Sequence, residues 1–361
     1  MDRRSFLKTS ALGGSAAAAS ATLAAPALAQ GKRVLTMVTS WPNGMAGVHD
    51  SAMFCKNRIE ALSDGQIKVE VKAAGELVGA FEVFDAVSSG QADMYHSSDY
   101  YFVNQHPAFA FFSTVPFGMT AQEQINWYYH GEGAAFHDEL GEIFGMKMFL
   151  VGNTGAQSGG WFRKEINAPE DFQGLKFRMP GLGGVAMGKL GASIQNIPGG
   201  EVYQALSTGA LDGTEWVGPW ADEKAGFYEI TKIYYTAGFH EPGAGLSLAL
   251  NRDLFDSLTP FQQQVMETAA AECNQWTLSM FLSQNSAALS RLASEGVRIM
   301  TFPDPVWDAF GKAAQEALEE SRDGDIYDRM LDSYMASMRT SSSWLQASEG
   351  TYRAQRDRVI G

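Results

Sequence analysis

The sequence predicts an α/β protein of about two domains, and three observations carry that prediction. Strand and helix patterns alternate from residue 34 to residue 96, and the alternation restarts at Asp171 after a glycine-bearing crossing. The third observation is the length of 361 residues, enough for about two domains. Strand–helix–strand–helix order marks a mostly parallel sheet covered by helices.

The first 29 residues stand outside that fold. Met1-Asp2-Arg3-Arg4-Ser5-Phe6-Leu7-Lys8 is a charged opening, and small apolar residues follow up to a small-x-small cleavage site at Ala29. Residues 1–29 are therefore expected to be a signal peptide. The Arg3-Arg4 pair resembles a twin-arginine export signal, with an ordinary secretory signal as the alternative. No stretch is long and apolar enough to span a membrane, so a soluble, exported mature chain is expected.

Residues 34–39 read as the first strand, ended by the turn Trp41-Pro42-Asn43-Gly44. Ala52, Met53, Cys55, Ile59 and Leu62 recur at helical spacing over 49–62, and Gly65 stops them. Ile67, Val69 and Val71 alternate as a second strand; 82–89 is a short helix closed by Gly90, and 91–96 leads into a third strand. Residues 122–144 look helical and 147–151 form a strand. The run from Gly152 to Gly160 is a plausible hinge carrying Asn153 and Gln157. Leu175 and Phe177 then alternate with Lys176 and Arg178, and Met179-Pro180-Gly181 stops that short strand, because proline cannot donate to a ladder. Helical patterns at 185–190 and 200–207 follow, then strands at 233–236 and 246–250 with His240-Glu241-Pro242-Gly243 between them. Beyond Pro260 the pattern is mostly helical, with one strand-like stretch at 297–300 and a long helix from about Pro305.

The formal net charge is −14, and loss of the basic leader makes the mature chain more acidic still. That argues against nucleic acid and anionic membranes as partners. An anionic ligand would need a local positive feature, and Arg178 at a strand end can supply a two-pronged grip on a carboxylate. The alternative is a solvated surface arginine. Cys55 and Cys273 are expected to be two buried thiols, although an exported chain permits a disulfide. No Cys/His cluster has zinc spacing.

Gly181-Leu182-Gly183-Gly184 imitates a dinucleotide loop but reads better as a flexible turn into a helix. The histidines, His240 among them, are scattered and read as structural, and Ser158-Gly159-Gly160 lacks the flanks of a nucleophile elbow. Gln157, Glu215 and Glu241 offer oxygen ligands without sulfur, a set that suits a hard cation beside Arg178. Each is otherwise a surface or hinge residue. Tyr100 and Tyr101, on a loop after the third strand, are pocket-wall candidates with polar tips.

Taken together, five stretches in order resemble the solute-binding proteins of TRAP transporters. They are Tyr100-Tyr101 with Pro116-Phe117-Gly118-Met119, Gln157-Ser158-Gly159-Gly160-Trp161-Phe162, Leu175-Lys176-Phe177-Arg178-Met179-Pro180-Gly181, Asp212-Gly213-Thr214-Glu215-Trp216-Val217-Gly218-Pro219 and His240-Glu241-Pro242-Gly243. The resemblance covers nearly all of the mature chain and is closest to the branch that takes up 2-oxo acids such as pyruvate. It implies a two-lobed periplasmic-binding-protein-like fold with crossing hinge strands and a long C-terminal helix. It divides the chain into lobe I (30–152 and about 242–280), lobe II (153–241 and about 281–304) and a C-terminal helical segment (305–361) that supports a homodimer.

In that family Arg178 matches the arginine that pairs with the ligand carboxylate. Gln157, Glu215 and the backbone carbonyl of Trp216 match positions that hold a cation, sodium before calcium, with Glu241 a further contact to ligand and cation. Tyr100, Tyr101 and Asn153 fall where wall residues are expected. The implied function is capture of a small organic carboxylate in the periplasm and delivery to the TRAP membrane permease subunits, without chemistry. Alternatives are the same fold binding lactate, a polyol such as mannitol or a bulkier organic acid, and an exported lyase or hydrolase using Glu215 or Glu241 as base.

Overall fold

A computed structural model describes residues 32–361, so the expected leader at 1–29 lies outside the described residues. β1 (Arg33–Thr39), β2 (Ile67–Lys72) and β3 (Met94–Ser97) form where the alternation predicts, joined by α1 (Val48–Leu62) and α2 (Val83–Ser88). They enter a five-stranded sheet, ordered β2-β1-β3-β10-β4, completed by β4 (Met146–Asn153) and β10 (Gly245–Asn251). β1 runs parallel to β3, but β10 lies antiparallel between β3 and β4, with Leu248 opposite both His96 and Phe149.

The second sheet has six short strands: β5 (Gly160–Phe162), β6 (Lys176–Arg178), β7 (Ser193–Gln195), β8 (Gly213–Thr214), β9 (Ile233–Tyr235) and β11 (Arg298–Met300), ordered β11-β9-β5-β8-β6-β7. β5 is its antiparallel member, between β8 and β9. Each sheet is thus mostly parallel with one antiparallel member, β10 or β5, and each of these is the strand entered directly after a crossing from the other sheet. The chain leaves the first sheet between β4 and β5, returns between β9 and β10, and goes over once more between β10 and β11.

The predicted helix over 122–144 is two, α3 (Ala121–His130) and α4 (Gly133–Ile143). Gly131 caps the first; a Cβ there would come within 2.7 Å of the Trp127 carbonyl oxygen. α5 (Gly181–Lys189) begins at the glycine-rich run itself, so that run is the packed first turn of a helix and not a flexible lead-in. At Gly183 and Gly184 a Cβ would stand 2.7 Å from the His240 Cβ and 2.3 Å from the Met179 carbonyl oxygen. α6 (Gly199–Thr208) and α7 (Pro219–Ala225) complete the second half.

α8 (Pro260–Ser294) spans the two halves. Thr259 and Gln262 close a reciprocal cap at its start. It packs on α1 and β4 along part of its length and on α7 further on, where Asn285 Oδ1 accepts from the Trp220 amide at 3.0 Å. The helix expected from Pro305 divides into α9 (Asp304–Glu320) and α10 (Gly324–Leu345). α9 joins the second core, with Phe310 stacked 3.8 Å from Phe239. α10 packs on α3, and Tyr334 Oη accepts from the Met119 amide at 2.6 Å. A π-helical turn, Gln346–Gly350, carries α10 on into α11 (Thr351–Ile360), which buries no residue. Cys55 and Cys273 are buried free thiols between α1 and α8.

Candidate functional site

The ends of β1, β3, β6 and β8 and the two crossing segments converge. Open α/β sheets collect ligands in this way, outside the carboxyl ends of their strands. The crossings are tied together by their own backbone: the Gln157 amide donates to the Glu241 carbonyl at 2.9 Å, the Thr154 amide to the Ala244 carbonyl at 2.9 Å and the Gly238 amide to the Gln157 carbonyl at 2.9 Å. Gln157 and Glu241, far apart in sequence, therefore lie side by side.

Arg178 is the last residue of β6 and is 0 % exposed. Its Nη1 donates to Glu215 Oε1, its Nη2 to Tyr101 Oη at 3.5 Å and its Nε to the Ile197 carbonyl at 3.4 Å. The guanidinium stands 5.1 Å from the Trp216 ring, a cation–π distance. Trp216 in turn fits against Gly199, where a Cβ would fall 2.1 Å from the indole. Burial alone would lower the Arg178 pKa, but the negative charge of Glu215 and the neighbouring tyrosines outweigh it and hold it above its ordinary value. The surface-arginine alternative is ruled out.

Glu215 follows β8 and is fully buried. With Oε1 engaged by Arg178, its Oε2 has no hydrogen-bond partner. Gln157 donates through Nε2 to Thr154 Oγ1 at 3.1 Å and leaves Oε1 without a partner. Glu241 Oε2 and both ring nitrogens of His240 are likewise unpartnered. Unsatisfied buried polar atoms are costly, and here five of those found among the described residues belong to four neighbouring side chains. Glu215, His240 and Glu241 bring one ligating atom each within 4.8 Å of the others. His240 Nε2 is 3.6 Å from Glu215 Oε2, too long for a hydrogen bond.

Burial first, and then the charge of Glu215, push the Glu241 carboxyl well above the usual carboxylate range, with Arg178 opposing. Burial also raises Tyr100 and Tyr101. The cluster is short of positive charge. Three of its orphaned atoms are amide or carboxyl oxygens, the donor set of a hard cation, so the residues present fit one.

Tyr100, Tyr101, Gln157 and Trp216 line a narrow cavity of about 10 Å³. Asn153 is not drawn into the cluster: its Nδ2 donates to Gln124 Oε1 at 2.7 Å and its Oδ1 accepts from the Gly155 amide at 2.8 Å, so both ends hold the crossing in shape. Sequence reasoning passed over two residues here. His240 read as a scattered structural histidine, although its position beside Glu241 was a usable signal. Trp41 read as part of a turn, although it follows a strand of the same sheet as β3.

Two sheets joined by crossing strands, with a buried arginine and unpaired oxygens between them, define a two-lobed solute-binding protein. Residues 37–324 match the model of the bacterial extracellular solute-binding protein family 7. The chain belongs to that family, whose members are transport receptors of TRAP systems. It is 37% identical over 317 residues to a monocarboxylate 2-oxoacid-binding periplasmic protein of Nostoc sp., covering 88% of this chain and 87% of the relative. Among solved structures, a TRAP periplasmic solute-binding protein from Pseudoalteromonas atlantica with bound sodium and pyruvate superposes with a TM-score of 0.86 at 36% identity, covering 90% of this chain and 99% of that one. A Bordetella bronchiseptica TRAP solute-binding protein, a mixed-occupancy dimer with calcium and picolinate in one site, gives 0.89 at 30% identity, covering 91% and 98%.

Proposed function

We propose that this chain captures a small 2-oxo monocarboxylate of the pyruvate type in the periplasm and hands it to a TRAP permease. The observation that carries the reading is Arg178, buried and paired through one oxygen of Glu215, beside a group of unpartnered oxygens from Gln157, Glu215 and Glu241. The ligand carboxylate docks on the guanidinium. Gln157, Glu215, Glu241 and the Trp216 carbonyl hold a cation, sodium or calcium, which when bound supplies a positive partner for the ligand's oxo oxygen. Tyr100 and Tyr101 close the wall. The relatives that bind 2-oxo acids, sodium with pyruvate, or calcium with picolinate support the ligand class and the cation.

On this reading residues 30–152 and 242–280 form one lobe and 153–241 and 281–304 the other, a division supported by the strand membership of the two sheets. α9 extends the second lobe and α10 the first. The exposed end of α10 and α11, with Trp344 71% and Ile360 78% exposed, is the surface that pairs two copies.

The test is a thermal-shift panel on mature protein stripped of ligand by partial unfolding and dialysis. Pyruvate, longer 2-oxo acids, lactate, succinate and mannitol are each added with sodium, with calcium and with chelator. A ligand at about 100 times its dissociation constant adds close to 2.7 kcal/mol. Stabilisation by 2-oxo acids that depends on the cation is expected; a shift by mannitol alone would overturn the ligand class.

A further inference from the structure

Outside its polar lining, the cavity is bounded by apolar groups that include Trp41, Val48, Val217 and Leu246. A carboxylate on Arg178, which meets the Tyr101 hydroxyl of the cavity wall, with its oxo oxygen toward Gln157, would direct the ligand's alkyl tail toward this apolar part. Trp41 is the largest group there. It is 2 % exposed, and its ring is 6.1 Å from that of Tyr101, whose hydroxyl meets Arg178.

Trp41 is also held more firmly than a cavity wall requires. Its backbone amide and carbonyl both bond the Thr39 hydroxyl, at 3.3 Å and 3.0 Å, and the carbonyl accepts from the Ala74 amide at 2.9 Å. Its indole N–H donates to His96 Nδ1 at 2.9 Å. An indole can only donate, so His96 Nδ1 is bare and Nε2 carries the hydrogen. Nε2 then donates to Ser51 Oγ at 3.1 Å, which lies 2.8 Å from Thr277 Oγ1 on α8. This chain of donors runs from the cavity wall through β3 and α1 to the helix that spans both halves.

We propose that Trp41, fixed by His96, sets the length of acyl tail this protein accepts. The inference rests on the 2-oxo acid reading above and adds the residue that discriminates within that class. The free space here is about 10 Å³, close to that of one water, so a ligand tail directed this way meets the Trp41 ring. One methylene too many in a filled apolar pocket costs roughly 10–200-fold. A ring that cannot swing aside makes that penalty steep.

The experiment measures dissociation constants for pyruvate, 2-oxobutanoate and 2-oxopentanoate at one fixed cation concentration, in the wild type and in Trp41→Leu, Trp41→Phe and His96→Leu. The wild type is expected to weaken at each added methylene. Trp41→Leu is expected to move the ratio of 2-oxopentanoate to pyruvate affinity at least tenfold toward the longer acid. Trp41→Phe, which keeps a ring in the core, and His96→Leu, which frees the indole, are expected to move it severalfold in the same direction. His96 is a positioning residue, and a merely structural role would weaken all three acids alike. Ratios that stay within twofold of wild type in both Trp41 variants overturn the proposal while leaving the 2-oxo acid reading intact. A wild type that binds none of the three acids overturns that reading, and this one with it.

Discussion

The guanidinium of Arg178 has no solvent and one carboxylate oxygen for charge compensation. Removing one partner of a buried charged pair leaves the other unpaired and costs roughly 2–5 kcal/mol. Arg178→Ala should therefore lose that much pyruvate affinity in a calorimetric titration, and a loss below about tenfold would contradict the assigned role. Glu241 makes the complementary case. Burial and the Glu215 charge already disfavour its ionised form, so Glu241→Gln should leave thermal stability unchanged or raised. The same substitution should weaken the apparent cation affinity by about tenfold or more, read by titrating sodium or calcium at constant pyruvate.

At the scale of elements, the site depends on two crossings and on a buried network in the first sheet. Burial pushes the His96 pKa from 6.5 down to about 3. The unfolded chain takes up a proton below pH 6.5 that folded His96 refuses. Stability from this group is present above that pH and is lost as pH falls toward about 3. His96→Gln, which can still accept from Trp41 and donate to Ser51, should flatten the acid limb of the stability curve by up to about 1.4 kcal/mol per pH unit. Urea titrations at stepped pH read this directly.

The same elements show what the sequence made legible. β1, β2 and α1 were readable because alternation and helical spacing are local. β5, β7 and β8 are too short for a period to register, and the insertion of β10 between β3 and β4 is a non-local choice that no window of residues reports. Arg178, Gln157, Glu215 and Glu241 were named as one constellation from residue type and placement, and they come together. His240 was not, because its neighbour Glu215 lies on another strand end and a lone histidine carries no spacing signal. Gly183 and Gly184 misled for a related reason: their missing side chains answer to His240 and Met179, not to a flexible backbone.

For the whole molecule, the two crossings and α8 connect the two sheets, and on the proposed function closure on ligand would be a population shift that a membrane partner reads. The C-terminal helix from Gly324 to Ile360 ends in exposed Trp344, Tyr352 and Ile360. Truncation after Leu345 should convert a dimer to a monomer in light scattering without abolishing pyruvate binding; a wild type that is monomeric at every concentration would contradict that assignment. The central claim is stoichiometric, cation-assisted binding of a 2-oxo acid without chemistry. One calorimetric titration tests it: pyruvate into the stripped mature protein, with sodium, with calcium and with chelator after removal of monovalent salt, followed by recovery of the ligand. The account predicts one pyruvate per chain, affinity that falls when the cation is withdrawn, and pyruvate returned unchanged. Binding indifferent to the cation, or a ligand recovered as product, would contradict it.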